Sequence, residues 1–290
     1  MRSKILILGK GYIGKSIADY LQPWDNIKVV HVAKKQLDYT NQETLKIFLE
    51  AYRPDYVVNC AGYTGKPNVD KAEEEKEICW KLNVVDAANI NRACRDVGVN
   101  YIHIGSGCIY NGIIGAYEDQ VPNFGLYTPE SSFYSKSKHA YETIAGDFGL
   151  TLRIRMPFDD TLNTKNYLYK LWTYPKLMGS NTYNSKTQVR DISRFILYLA
   201  ARETEVNEIG LLNFVNPSPK TTYDIVENMM EDCNFSRSHF EWVEESELNL
   251  KAKRSNCCLA SEKRIRLFPD FHMDDEEPAI RQCLSRMRDL

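Results

Sequence analysis

The stretch FYSKSK places Tyr134 and Lys138 four residues apart, and the apolar run YIHIGSG upstream ends at Ser106 between two glycines. On a helix, side chains four apart project the same way. A phenol has a reference pKa near ~10 and is a weak acid-base catalyst at neutral pH; a neighbouring ammonium favours its phenolate. Ser106 can hydrogen-bond the same carbonyl oxygen that Tyr134 would protonate. A serine, a tyrosine and a lysine so placed suit hydride transfer to a ketone. Two residues past the serine stands Cys108. A thiol, reference pKa near ~8.5, exchanges protons close to neutrality if its surroundings tune it. A small core hydrophobe is the other reading of such a cysteine, and the spacing alone leaves both open.

A reductase needs a hydride source, and the N-terminal GKGYIG provides a G-x-G-x-x-G loop at Gly9, Gly11 and Gly14. The first glycine permits a tight turn, the second lets backbone approach a pyrophosphate, and the third lets the next helix sit close to the sheet. Gly9, Gly11, Tyr12, Ile13 and Gly14 are therefore expected to bind a dinucleotide at a helix N-terminus. Asn59, Ala61 and Gly62, in NCAG at the end of the third strand, would lie under the cofactor. The second strand ends HVAKKQLD, without an acidic tip for a free ribose 2′-hydroxyl. Lys34 and Lys35 there suit a 2′-phosphate, so NADPH is expected over NADH, with NADH the weaker ligand.

The elements that position these groups follow from hydrophobic pattern. KILILG, IKVVHV, PDYVVNCAG, NYIHIGSG and LTLRIRM read as strands. GYIGKSIADYLQ, NQETLKIFLEAY, a long stretch over 70–97 and one over 132–148 read as helices. Alternation of the two predicts an α/β fold, a Rossmann-type doubly wound parallel sheet. Residues 1–156 are expected to form the NADP-binding unit, to which a strand near 211–215 returns. The remainder of 157–290, of less regular rhythm, is expected to be a smaller C-terminal substrate-binding lobe over the strand ends, where open α/β sheets hold ligands.

Composition narrows the function classes. Of 290 residues 43% are hydrophobic and the net charge is −2, with no long basic run to signal nucleic-acid binding. No stretch approaches the ~20 apolar residues of a membrane span. The short ILIL run feeds a glycine loop and is expected to be a strand rather than an export signal. The eight cysteines lack metal-ligand spacing and are expected to be free thiols of a cytoplasmic protein, with no metal. His103 and His139 are expected to be structural.

The glycine loop, strand-end serine and Tyr-x-x-x-Lys together resemble the extended, sugar-nucleotide branch of the short-chain dehydrogenase/reductases. RPDYVVNCAGYTGKPNVDKAEEE and FYSKSK resemble the dTDP-4-dehydrorhamnose reductase family. Within it, GSGCIY, SSFYSKSK, TLRIRMP, LLNFVNP and KRSN are similar to the bifunctional 3,5-epimerase/4-reductases that make UDP-rhamnose in plants and giant viruses. That family usually carries Asp-Tyr where this chain has Gly107-Cys108; the bifunctional branch carries Gly-Cys. The resemblance implies epimerisation of UDP-4-keto-6-deoxyglucose at carbons 3 and 5, followed by NADPH-dependent reduction at carbon 4. Both carbons flank the ketone, so their protons leave as enolates, and inversion needs a base on one face and a proton source on the other. The resemblance implies Cys108 and Lys170 for that pair, and Ser106, Tyr134 and Lys138 for reduction.

Thr64, Gly65, Lys66 and Asn68 form a polar loop that can reach the sugar, and Arg155 and Arg254 can pair with a diphosphate. The expected partner is a nucleotide sugar, with a homodimer left open. A 4-ketoreductase acting on already epimerised sugar, and a non-catalytic regulatory subunit of the same fold, remain as the other readings. Neither UDP nor dTDP is fixed as the nucleotide.

Overall fold

A computed structural model describes residues 2–66, 68–179, 182–230, 232–233 and 240–289. Continuous apolar runs need cover on both faces, and helices between the strands supply it. Strands β1 (Ser3–Leu8), β2 (Ile27–Val32), β3 (Tyr56–Asn59) and β4 (Asn100–Ser106) are followed by a short β5 (Ile113–Ala116). After β6 (Leu150–Ile154) come β7 (Pro157–Phe158), β8 (Lys176–Met178), β9 (Thr187–Gln188), β10 (Gly210–Asn213), β11 (Glu241–Val243) and β12 (Cys257–Leu259). The central sheet has six strands in the order β10-β6-β4-β3-β1-β2, every pair parallel. The chain leaves β1 for one edge and resumes with β3 on the other side. The loops after β1 and β3 therefore part at a switch point, where such sheets hold ligands.

Side chains of β1 alternate between two cores. Ile5 and Ile7 meet α1 (Tyr12–Leu21), through Ile17, Ala18 and Leu21. Leu6 and Leu8 meet α2 (Gln42–Tyr52), through Leu45 and Leu49. The stretch over 70–97 is not one helix. It divides into α3 (Lys71–Glu74), α4 (Lys76–Trp80), a π-turn Lys81–Val85, and α5 (Asp86–Val97). Glu75, at φ −111° and ψ 50°, separates the first two pieces. The next helix is α6 (Phe133–Ala145), which stops short of 148 because Gly146 takes φ 62°. The C-terminal half contains α7 (Tyr167–Thr173), α8 (Val189–Ala201), α9 (Glu262–Leu267) and α10 (Glu276–Arg288).

Here the sequence reading was too loose. Helix α8 covers the first core with Ile192, Phe195, Ile196 and Leu199, all at 0% exposure. Its apolar residues recur at helical spacing from Val189 onward, and Phe195 sits among Phe214, Phe268 and Phe271 with ring centroids about 5 Å away. β10 returns to the edge of the main sheet as expected, beside β6. A further core joins Phe158, α7, a π-turn at Asp224–Met230 and α10. No helix of the described residues is long and apolar enough to cross a membrane.

Candidate active site

The site begins at the end of β4. Ser106 is 4% exposed, and its Oγ accepts a hydrogen bond from the Cys108 amide at 3.2 Å. That short turn requires a glycine between them: a Cβ at Gly107 would lie 2.5 Å from Leu259 Cδ1 and 3.0 Å from Arg155 Cγ. Cys108 is half-buried beside Ser106, and all eight cysteines are free. Helix α6 is started by Ser132, whose Oγ accepts from the Ser135 amide at 3.1 Å. It carries Tyr134 to Ser106 and Cys108, both of which act on the phenol.

Burial dominates the electrostatics of this set. It raises the Tyr134 pKa, a negative charge on Cys108 would add to the rise, and the Ser106 hydroxyl opposes it. The sequence reading expected Lys138 to tip the phenol toward phenolate. In the free protein burial wins, so Tyr134 is held protonated, which suits a proton donor. Lys138 is 6% exposed, and burial lowers its pKa to about 8 against smaller opposing effects from Cys79, Glu142 and Cys108. Its Nζ stands 6.0 Å from the centroid of the Tyr134 ring.

The glycine loop fits a dinucleotide. Gly9 has φ 97°, and a Cβ there would meet the Ala61 backbone nitrogen at 2.8 Å. A Cβ at Gly14 would fall 2.1 Å from the Gly9 carbonyl oxygen, whereas one at Gly11 meets nothing within 4 Å. Open space thus lies over the N-terminus of α1, which no side chain caps. Tyr12 and Ile13 offer only backbone there. The Tyr12 ring turns toward Asp159, which with burial raises its pKa, and Ile13 joins the first core. Gly62 is exposed, and a Cβ on it would sit 3.6 Å from Lys138 Nζ. Lys34 and Lys35 are exposed at the β2 tip, Lys34 lying 4.0 Å from Asp38.

Asn59 has a different place from the one expected. It is 0% exposed, donates to Tyr101 Oη at 3.0 Å, and accepts from the Ala61 amide at 3.0 Å. It shapes the turn beneath the cofactor loop and does not face it. His103 lies in the same buried network, 3.2 Å from Asn59 Nδ2, with Nε2 unpartnered.

Two residues escaped the sequence reading. Asn83, on the π-turn, accepts from the Tyr63 amide at 2.7 Å and donates to the Tyr63 carbonyl at 2.9 Å and Ser137 Oγ at 3.0 Å. It thereby ties the strand-β3 loop to α6 directly beneath Gly62. Lys165 donates to Thr64 Oγ1 at 3.0 Å and to the Gly65 carbonyl. Neither position sits in a motif, so no sequence signal marked them.

The opening is basic. Lys170 is half-buried in the last turn of α7, and its pKa is lowered to about 8 by burial and then by the charges of Lys165 and Arg254. Arg254 pairs with Asp70 at 2.8 Å. Thr64 and Lys66 are exposed and Gly65 is buried at φ 73°. Asn68 spends its side-chain oxygen on the Asp70 amide at 2.8 Å. Arg155 does not line the opening: it is 1% exposed, and its hydrogen bonds all go to protein atoms. The arrangement offers a hydroxyl and a phenol for one carbonyl oxygen and a thiol beside them, while the amine of Lys170, lowered to about 8, is grouped with Lys165 and Arg254 at the opening.

The model of the RmlD substrate binding domain matches residues 3–289. A bifunctional dTDP-4-dehydrorhamnose 3,5-epimerase/dTDP-4-dehydrorhamnose reductase of Arabidopsis thaliana is 30% identical over 244 residues, covering 80% of this chain and 77% of that protein. Longer trifunctional relatives from the same plant are matched over only 34% to 40% of their length. Among solved structures, the UDP-rhamnose synthase of Acanthamoeba polyphaga mimivirus superposes with a TM-score of 0.85 at 24% identity, covering 99% of this chain and 100% of that one. A Bacillus anthracis dTDP-4-dehydrorhamnose reductase in complex with NADP gives 0.80 at 21% identity, over 100% and 99% of the two chains. With the family model spanning nearly the whole chain, and the serine, tyrosine and lysine gathered at the sheet's carboxyl edge, the chain belongs to the RmlD substrate binding domain family.

Proposed function

We propose that this protein binds NADPH and converts UDP-4-keto-6-deoxyglucose to UDP-rhamnose, inverting carbons 3 and 5 and then reducing carbon 4. The observation that carries this reading is the half-buried Cys108 thiol next to Ser106 and Tyr134, a second proton-handling group beside a reductase set. NADPH, once bound, supplies the hydride. The open N-terminus of α1 and the Lys34/Lys35 tip are the residues that would hold its phosphates.

The chain's own part is proton chemistry and orientation. Ser106 holds the carbonyl oxygen, and Tyr134, kept protonated by burial, gives its proton to that oxygen as negative charge develops. Lys138 lies beneath the exposed face of Gly62, its charge only weakly favoured after burial, and is placed to return a proton to Tyr134. Before reduction, the same two hydroxyls stabilise the enolate oxygen while Cys108 and Lys170 exchange protons at the flanking carbons. The basic residues Lys165 and Arg254, at the opening beside Lys170, receive the nucleotide diphosphate.

Incubating the purified protein with UDP-4-keto-6-deoxyglucose and NADPH, and identifying the sugar by NMR, tests the proposal. UDP-rhamnose is the expected product. A 4-hydroxy sugar with carbons 3 and 5 uninverted would leave a reductase only, and no NADPH oxidation on any 4-keto sugar nucleotide would remove catalysis altogether.

A further inference from the structure

Three cations of the β6–β9 region are almost wholly shielded from water, and they are neutralised differently. Arg153 is gripped by Glu142 through two hydrogen bonds of 3.0 and 2.8 Å. Lys186 is paired with Glu276 at 3.0 Å, both side chains at 0% exposure. Arg155 has no carboxylate within ion-pair distance among the described residues. Its Nη1 donates to the Gly107 carbonyl at 3.3 Å and Ser255 Oγ at 2.8 Å, and its Nη2 to Asn184 Oδ1 at 2.7 Å and the Ser255 carbonyl at 3.0 Å. All four acceptors are neutral, and Nε has no partner. One contact remains: Nη1 to Cys108 Sγ at 3.6 Å.

A buried charge without an opposite one is costly. The groups that can become anionic near Arg155 are therefore informative. Cys257 is 1% exposed, directs its Sγ to the Gly107 carbonyl at 3.5 Å, and is pushed up to about 11 by burial, so it stays a thiol. Cys258 is 3% exposed on the same strand, and Glu276 is already committed to Lys186. Cys108 alone of these faces the site and touches the guanidinium. The other titratable groups acting with Cys108 are Tyr134 and Lys138 from α6 and Cys257 from β12. Against the cost of burial, Cys108 is the strongest influence keeping Arg155 charged.

We infer that Arg155 is a positioning residue for Cys108: it fixes the Gly107–Cys108 turn and balances negative charge on Sγ, which makes the thiolate the proton acceptor of the epimerase half of the site. This rests on the epimerase reading above. The step balances without any redox partner. The carbon–hydrogen bond beside the ketone breaks, its proton passes to Sγ, and its electron pair moves onto the keto oxygen as the enolate. The carbon then takes a proton on its other face from Lys170, mostly ammonium at neutral pH with its pKa near 8. Exchange with water resets both groups.

The test follows the pH profile of Cys108 alkylation by iodoacetamide, read by mass spectrometry of its peptide, in wild type, Arg155→Gln and Arg155→Lys. The guanidinium touches Sγ and an adjacent positive charge favours the reactive thiolate, so Arg155→Gln should react at least about tenfold more slowly at pH 7.5, with Arg155→Lys restoring most of the rate. An unchanged profile in Arg155→Gln that still binds NADPH would overturn the inference. If Arg155→Gln does not fold, variants of the residues that hold Arg155 decide it. There, Ala replaces each side chain that holds the guanidinium in place: Ser255→Ala and Asn184→Ala, which remove its 2.8 and 2.7 Å hydrogen bonds without removing its charge, should each slow alkylation of Cys108, and wild-type rates in both would refute the proposal. Deuterium exchange into the 4-keto sugar separates the two claims. Exchange surviving in Cys108→Ala sinks the epimerase reading; exchange lost there, with an alkylation profile indifferent to Arg155, sinks only the role of Arg155.

Discussion

Burial, more than charge pairing, sets the chemistry of single residues in this site. It keeps Tyr134 protonated and brings Lys138 and Lys170 down to about 8, near the working range of acids and bases in neutral solution. Tyr134→Phe should accordingly abolish NADPH oxidation with a 4-keto sugar nucleotide while leaving NADPH affinity within about threefold, as titration calorimetry would show; oxidation at near the wild-type rate would mean that another acid serves carbon 4. Lys170 makes a different forecast. Its folded pKa lies below the unfolded value of ~10.4, so its ammonium costs stability at pH 7 and that cost fades as pH rises from about 8 to ~10. Lys170→Met should therefore stabilise the fold at pH 7 by about 1–3 kcal/mol in urea denaturation, with the gain shrinking toward pH 10. The same variant should lose proton exchange at the sugar by about 10²–10⁴-fold. A variant that is less stable at pH 7 would contradict the burial argument.

At the scale of elements, the site is a set of strand ends held at close range by glycines. Gly9→Ala would force a Cβ to 2.8 Å from the Ala61 nitrogen at a φ of 97°, so it should cost about 2 kcal/mol or more in thermal unfolding and weaken NADPH binding at least about tenfold. A stable Gly9→Ala protein with wild-type affinity would show that the β1 and β3 loops do not need that approach. These glycines, the strand-end serine and the Tyr-x-x-x-Lys pair are legible in the sequence because each depends on local spacing: a strand, a turn and one helical turn. So are five strands of the main sheet and the return of β10. What escapes is non-local. β5 and β12 pair across about half the chain, so CCL at 257–259 is a buried strand. Asn83 works because a π-turn rotates it under Gly62, and nothing in KLNVV announces that turn. Arg155 looks like a strand-end cation free to meet a diphosphate until Ser255, a hundred residues later, closes over it. Ser106, Tyr134 and Lys138, joined in the sequence reading by local spacing, lie close together in the fold, whereas the residues that support them are brought in by contacts the sequence does not announce.

On the scale of the whole molecule, contacts distant in sequence bring the C-terminal half over the sheet edge. Glu276, at the start of α10, accepts from the Lys186 amide at 2.6 Å and from Lys186 Nζ at 3.0 Å, both out of water, and from the part-buried Lys220 amide at 2.9 Å. Breaking a buried pair by removing one charge costs about 3–5 kcal/mol, and Glu276→Gln should lose stability of that order in chemical denaturation; a loss below about 1 kcal/mol would mean the pair is dispensable. Across the opening, Lys165 reaches Thr64, Arg254 reaches Asp70, and Lys251 reaches Glu74. The opening is thus bounded by both halves of the chain, with Lys170 grouped with Lys165 and Arg254. The account stands or falls on whether one site performs two separable reactions. The most direct measurement compares wild type with folded Cys108→Ala, in deuterated water and without NADPH, for deuterium uptake at carbons 3 and 5 of UDP-4-keto-6-deoxyglucose, and then with NADPH on a pre-epimerised 4-keto sugar. The account predicts that wild type does both, and that Cys108→Ala loses the exchange by 10²-fold or more while still reducing the pre-epimerised sugar. Exchange at the wild-type rate in Cys108→Ala would contradict it and leave a plain reductase.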